Sequence, residues 1–500
     1  MRRASRIGIG LVMMVAIALA GVARNWAMAL RTGPNEVISG DAGQSSLANM
    51  NSFSLALLLG GLRGPLVMFL WTSSENLKNE KNLEDFDTYV EWIRLLQPEF
   101  DTVHIFQVWN KAYNISVQMA SLPNKYSTIL DALDYAHRVE AERPNNISML
   151  YQIGSIYGDK LGGSNEKAYY KKRVREETRP HATRQKLART DPGWRRLELD
   201  PMLDDQGNIL PDLLKPKYDR PANVPAGGEY LTGAPLQYLK QYQPFPYGVS
   251  ALALAYNYEK RAQVLQDTSQ QVHANLSPMV LDSRPGLALK AWSEDEWERG
   301  RRLELRALNV PVPEERRDME MATANVALDA PLTDAKAISE AIDAYDVGAR
   351  VADDSIPEYE RHLKNYTGNL QNYQSHMDGL KAQAPLMRGD RDYLKAMLAP
   401  AGPERQKLLA AAAEQYKLAL ERNMYIVLRW YMFDEDAKAI LPAGKTREDL
   451  AKIPPDQYPA MYAKLVDRIA HRPYDSDKDD RSDYQRYLER AQARLKRIGG

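Results

Sequence analysis

Apolar residues recur at helical spacing over most of the chain. Within Leu83–Pro98 they fall at Phe86, Val90, Ile93 and Leu96, and Pro98 closes the segment. The stretch that ends at Pro144 repeats this spacing with Ala132, Ala136 and Val139. A period near 3.6 residues that stops at a proline predicts an amphipathic helix and its end. Val103–Gln118, carrying Phe106, Trp109, Ala112, Tyr113 and Val117, reads as the helix between them. The two prolines stand 46 residues apart, from 98 to 144, whereas a tetratricopeptide unit repeats at about 34. The pattern therefore predicts stretched, tetratricopeptide-like helical hairpins. Such a hairpin cannot bury its apolar face alone and stacks on its neighbours. An ordinary α-helical bundle is the plainer alternative.

The pattern breaks over residues 190–250. Nine prolines lie between Pro192 and Pro246, with Gly207, Gly227, Gly228, Gly233 and Gly248 among them, which no long helix survives. A long Pro/Gly-rich irregular insertion is expected, with Tyr230, Tyr238, Tyr242 and Tyr247 available to pack it onto helices. Helix resumes near Pro246–Val249 and runs through Tyr256, Tyr258 and Val264. Residues 285–500 are again helical, interrupted at Pro311, Pro313, Pro331, Pro403 and Pro454–Pro455, with a last helix over Tyr484–Ile498 capped by Ser482 or Asp483. Within this C-terminal region Tyr359, Leu363, Tyr366, Leu370, Tyr373, Met377 and Leu380 alternate in steps of four and three. That is a heptad stripe over 359–380, expected on one helix that starts at Ser355 with Pro357 in its first turn. Its partner is expected to be the Lys407–Met432 region of the same chain, with Leu409, Ala412, Tyr416 and Leu420. Self-association through 359–380 is the alternative, disfavoured by tyrosine at core positions.

The N-terminus carries a different signal. Arg2, Arg3 and Arg6 precede an uncharged run from Ile7 to Ala23, extendable past Arg24 to Leu30. Its length lies between a secretory signal and a membrane span, and favours a retained anchor over a cleaved signal. The arginines stay cytoplasmic and the rest of the chain lies beyond the inner (cytoplasmic) membrane, in a periplasm-like space. A second apolar stretch, Phe53–Trp71, is broken by Gly60, Gly61, Gly64 and Pro65 and carries Arg63. It reads as two short buried helices joined at Gly60–Pro65 in preference to a second membrane segment. The expected organisation is an anchor at 1–30, a linker at 31–52, a helical domain at 53–160, a basic helix and insertion at 161–250, and a helical region at 251–500.

Composition then excludes chemistries. Lys+Arg and Asp+Glu are equal at 66, so no global field draws nucleic acid. Without cysteine there are no disulfides, thiolate nucleophiles or thiolate metal sites. Tyrosine outnumbers phenylalanine 28 to 7, which suits half-buried faces and interfaces better than a dry core. His104, His137, His181, His273, His362, His376 and His471 never pair at metal-ligand spacing, and neither a phosphate-binding glycine loop nor a Gly-x-Ser-x-Gly elbow occurs. Asp475, Asp477 and Asp479 begin like a calcium loop, but Asp480 and Arg486 replace its glycine and glutamate. Lys167–Arg196 holds 11 Lys/Arg against 3 Asp/Glu, either a phosphate-tracking strip or a solvated helix face. No catalytic residue, cofactor or metal is assigned.

Leu58–Val67, Leu83–Phe100 and Trp109–Ser116 resemble a planctomycete-type family of membrane-anchored proteins with tetratricopeptide-like helices, some bearing the label "iron-responsive element". The resemblance covers roughly residues 55–160, with weaker similarity near Pro246–Arg261. It implies the architecture and brings no catalytic residues. An all-α, membrane-anchored scaffold is the first reading. Its protein partner would meet Trp92, Trp109 and Tyr113 on the helical domain, with Tyr359, Tyr366 and Tyr373 of the stripe as further contact candidates. A binder of nucleic acid or anionic polymer through 167–196 is the second, and an envelope enzyme of unrecognised type the third.

Overall fold

The computed structural model describes residues 63–79, 88–89, 92–93, 96, 101–142, 145–180, 203–204, 206–208, 236–268, 276–312, 322, 330–368, 370–470 and 481–499. The anchor, the linker, most of Leu83–Pro98, the calcium-like aspartates and most of the insertion lie outside them. Every regular element is helical and no strand forms among the described residues. No helix among them is long and apolar enough to cross a membrane. The chain divides into two compact units at Ile115/Ser116, inside the 53–160 segment.

In the first unit, α1 (Arg63–Asn79) begins inside the Gly60–Pro65 segment, with Gly64 and Pro65 in its first turn, and α2 (Asp101–Trp109) runs into a π-helical turn at Asn110–Ile115. Val67 and Leu70 of α1 pack with Ile93, Leu96 and Val103 in a small core. Leu66, Trp71, Tyr89 and Phe106 flank it, half-buried.

The second unit opens with α3 (Leu122–Glu142), which stops before Pro144 as its spacing predicted and buries Ala132, Ala136 and Val139. Then come α4 (Ile147–Ser155), α5 (Lys167–Glu177), α6 (Ala251–Thr268), α7 (Pro278–Ala307), α8 (Ala335–Asn365), α9 (Gln371–Leu398), α10 (Pro403–Ile426), α11 (Asp434–Ile440), α12 (Tyr458–Ala470) and α13 (Arg481–Gly499). From α6 to α10 consecutive helices pack on one another, and the row is continued by α4 against α6 and α13 against α10. The pairings run antiparallel. Ser293 of α7 donates to the Gly348 carbonyl of α8 at 2.8 Å, and Ser355 of α8 donates back to Gly286 of α7 at 3.1 Å.

Glycine and tyrosine interlock these helices. A Cβ on Gly300 would stand 2.7 Å from the Tyr345 ring, and one on Gly389 would stand 2.7 Å from the Tyr416 ring. Each ring lies on bare backbone and gives its hydroxyl to a buried carboxylate. Tyr345 donates to Glu304 at 2.9 Å and Tyr416 to Asp390 at 2.8 Å. The tyrosine surplus thus supplies the core itself, not only half-buried faces, because acids inside the core satisfy the hydroxyls.

Arginines of α13 complete this interior. Arg490 Nε reaches both Asp390 oxygens at 3.2 and 3.1 Å, its Nη2 reaches Glu304 at 3.3 Å, and Arg494 also pairs with Glu304. All four side chains are fully buried. The Arg494 guanidinium lies 4.0 Å over the Tyr393 ring. One ionic cluster therefore fastens α13 onto α7 and α9.

Two expectations are corrected. The helix carrying Ser355 begins twenty residues earlier at Ala335, where Asp334 caps it by accepting from Ala337 N at 3.0 Å. Pro357 lies inside that helix on its exposed side, where water can reach the carbonyl its ring leaves unbonded. The heptad stripe does not occupy one helix either. α8 ends at Asn365, Tyr366 is extended, Gly368 takes φ +133°, and α9 starts at Gln371. The left-handed glycine allows the reversal, so the stripe folds back on itself as a corner. Its expected partner helix is confirmed, since Met377 and Leu380 share a core with Ala412, Tyr416, Leu409 and Leu420 of α10.

Candidate functional site

The sequence-derived partner residues divide between surface and interior. On α1 the positions that alternate with Val67 and Leu70 face outward, leaving Met68 68% and Phe69 63% exposed. Trp92, next to the buried Ile93, is 49% exposed, and Trp109 is 41% exposed. Trp109 stacks on the half-buried Tyr113 at 6.3 Å and touches Phe106 at 6.2 Å, which in turn meets Trp71 at 5.1 Å. A run of aromatic contacts thus ties the exposed Trp109 to the core of the unit. Tyr89 supports Trp92 at 5.5 Å.

The stripe tyrosines are placed differently. Tyr359 is buried within the chain, its ring against Gly286, and so leaves the set of surface candidates. Tyr366 and Tyr373 are half-buried at the α8–α9 corner, where both rings flank the buried His362 at 5.1 and 4.4 Å. His362 Nδ1 lies 2.9 Å from Asp282. These residues hold the corner together.

The described part of the basic segment is largely turned inward. Lys171 and Arg175 of α5 pair with Asp295 at 2.5 and 3.2 Å, and Arg175 also with Glu296 at 2.9 Å. Arg173 pairs with Glu177 in the interior at 2.9 Å, while Lys172 stays on the surface beside Glu176.

The Arg175–Glu296 pair forms part of the wall of a pocket of about 170 Å³ that periodicity could not reveal. The end of the insertion makes one side and α5, α7 and α8 the other. A 3-10 turn at Gln237–Tyr242 leads into Gln243–Ser250. Gly248, at φ +84°, lies so close to α5 that a Cβ would fall 1.9 Å from the Arg175 carbonyl oxygen. Val249 N donates to Thr178 Oγ1 at 2.7 Å, and Ser250 Oγ donates to Asp295 at 3.0 Å. These contacts fix an irregular segment as firmly as a helix.

Inside the pocket Trp292 packs edge-on against Tyr242 at 4.7 Å and gives its indole N–H to Glu296 at 3.1 Å. Tyr242 gives its hydroxyl to Asp354 at 2.6 Å. Glu296 also accepts from Arg299 Nε at 2.9 Å. Burial alone would raise the Glu296 carboxyl, but Arg175 and Arg299 beside it outweigh burial and hold it below the ordinary range. Asp343 behaves oppositely: its residue is exposed, yet partial desolvation at the pocket wall lifts its carboxyl above the ordinary range, against Tyr247 and the charge of Arg299. Arg299 lies 5.6 Å over the Tyr247 ring, and Arg350 lies 6.0 Å over Tyr242 with its Nε 3.1 Å from Asp346.

Among the described residues no group of three or more His, Asp or Glu side chains could hold a metal ion. His137 sits 4.0 Å from Glu140 and against the Tyr258 ring at 5.5 Å, in a packed interior. The exposed tryptophans were legible as aromatic positions within segments of helical periodicity. The pocket was not, because its residues come from four separate segments and share no spacing. Comparison with family models, with curated proteins and with solved structures returns no match, so the chain's own geometry carries the functional reading.

Proposed function

We propose that the protein is a membrane-anchored scaffold of stacked, tetratricopeptide-like helical hairpins, held in the cell envelope by residues 7–30, that binds a protein partner through the apolar surface of its first unit. The observation that carries this reading is the exposure of Met68, Phe69, Trp92 and Trp109, four large apolar side chains in one small unit. In the much longer second unit, Phe433 is the one aromatic ring exposed to a similar degree among the described residues. Tryptophan, phenylalanine and methionine are enriched at the centres of protein interfaces, where burying one ring can carry 2 kcal/mol or more. Trp109 suits that use, because the ring it stacks on holds it in place before any partner arrives. The inward pairing of Lys171, Arg173 and Arg175 removes much of the support for the polymer-binding alternative.

A photo-crosslinking residue at Phe69 or Trp109, activated in intact cells, tests the proposal. Crosslinks to one protein species at both positions support it. Crosslinks confined to lipid would make the same surface a membrane contact and overturn it.

A further inference from the structure

The pocket at the end of the insertion belongs to the second unit and plays no part in the partner reading. Its polar groups divide into two sets. Arg175 and Glu296 are saturated by internal pairs, so they form a fixed wall. Arg299 and Arg350 each meet a carboxylate through Nε, and among the described residues no acceptor lies against their terminal nitrogens. Asp343, beside Tyr247, lines the pocket on an exposed position, where its carboxylate can accept from a ligand. The lining carries three arginines, at 175, 299 and 350, against three acids, at 296, 343 and 346, so it has no net charge.

We infer that this pocket binds one ring of a neutral carbohydrate, stacked on Tyr247 and the neighbouring prolines and hydrogen-bonded by Arg299, Arg350 and Asp343. A hydroxyl both donates and accepts, so it can answer a guanidinium and a carboxylate side by side, which an anion or a cation cannot do without meeting a like charge. A sugar ring also has an apolar C–H face, and Phe245, Pro244, Pro246 and Tyr247 offer an apolar lining to receive it. Size limits the ligand further. Pockets for drug-sized molecules run to about 300–1,000 Å³, and this one is about 170 Å³ and open on one side. One ring fits, and a longer saccharide would continue into solvent.

The test is saturation-transfer NMR on the full chain in a detergent without a sugar headgroup. The probes are neutral hexoses, N-acetylhexosamines and their short oligomers, with tetramethylammonium and methyl phosphate as charged controls. The expected result is transfer to the ring C–H protons of at least one neutral sugar. Oligomers that bind more tightly than the single ring would identify a polymer end as the source, and equal affinity would identify a free sugar. Asp343→Asn and Arg350→Gln lie on exposed positions, leave the melting temperature unchanged, and each weaken binding about tenfold or more. No transfer from any neutral sugar, binding untouched by both variants, or binding of the charged controls alone would overturn the inference.

Discussion

The buried ionic cluster yields the sharpest prediction. Asp390→Ala removes the carboxylate that receives Arg490 Nε through both oxygens and the hydroxyl of Tyr416. Arg490 then loses Asp390 and keeps Glu304, which it already shares with Arg494, and the Tyr345 hydroxyl at 3.5 Å, while Tyr416 loses the acceptor of its hydroxyl in a sealed core. An ordinary hydrogen bond contributes about 1 kcal/mol, whereas stranding one partner of a fully buried pair costs about 3–5 kcal/mol. The larger figure applies, because every member of the cluster is without solvent contact. The assay is urea unfolding of the full chain followed by circular dichroism at neutral pH, comparing wild type with D390A, Asp390→Leu, Arg490→Met and the Asp390→Leu/Arg490→Met pair. The pair should lose less stability than either single variant, because it removes the charge that each single variant strands. A D390A loss under about 1 kcal/mol, or strictly additive losses in the pair, would refute the cluster as the fastening of α13.

Other positions give further outcomes. Glu140 is buried, which alone would raise its carboxyl, yet Arg261 at 2.6 Å and His137 bring it down to about 2. A depressed folded-state value means that its contribution, on the order of 3 kcal/mol, is present above the unfolded carboxyl range near 4.5 and is lost as pH falls towards 2. Glu140→Gln should therefore lower the urea midpoint at pH 7 and converge on wild type below pH 4, and a constant gap across that range would contradict the assignment. Gly389→Ala places a methyl group against a Tyr416 ring tethered through Asp390. Overpacking costs about 1–3 kcal/mol and helix propensity returns at most about 1, so the melting temperature should fall, and a rise would show that the ring yields. Gly248→Ala combines a left-handed backbone with a direct clash on α5. It should lose at least about 1–3 kcal/mol and abolish ligand binding at the pocket, and near-wild-type behaviour in both would refute the docking of the insertion.

Local periodicity made the helices legible and little else. Ala132, Ala136, Val139 and Pro144 announced α3 with its buried face and its end. The heptad stripe misled because steps of four and three persist when two helices meet at a tight corner, and Gly368 was the only local sign of the turn. Pro357 misled in the same way: expected in a first turn, it lies inside a long helix, as Pro285 and Pro385 do, so packing on neighbours outweighed the local cost. Arg490 and Arg494 lie four apart on a highly charged helix, and their spacing alone does not mark them as buried. Their acceptors, Glu304 and Asp390, are 186 and 100 residues from Arg490 in sequence, and no window could join them. The pocket follows the same logic, since α5, the insertion, α7 and α8 meet only in the fold.

The most direct test of the scaffold reading is a paired affinity purification from membranes in mild detergent, using the C-terminally tagged chain and its Phe69→Ser/Trp92→Ser/Trp109→Ser variant, with the intact mass of each read in the same run. The account predicts an uncleaved N-terminus and a stoichiometric protein that accompanies the wild-type chain and is lost from a variant with unchanged helicity and melting temperature. A partner retained equally by the variant, or a cleaved chain that purifies alone, would contradict it.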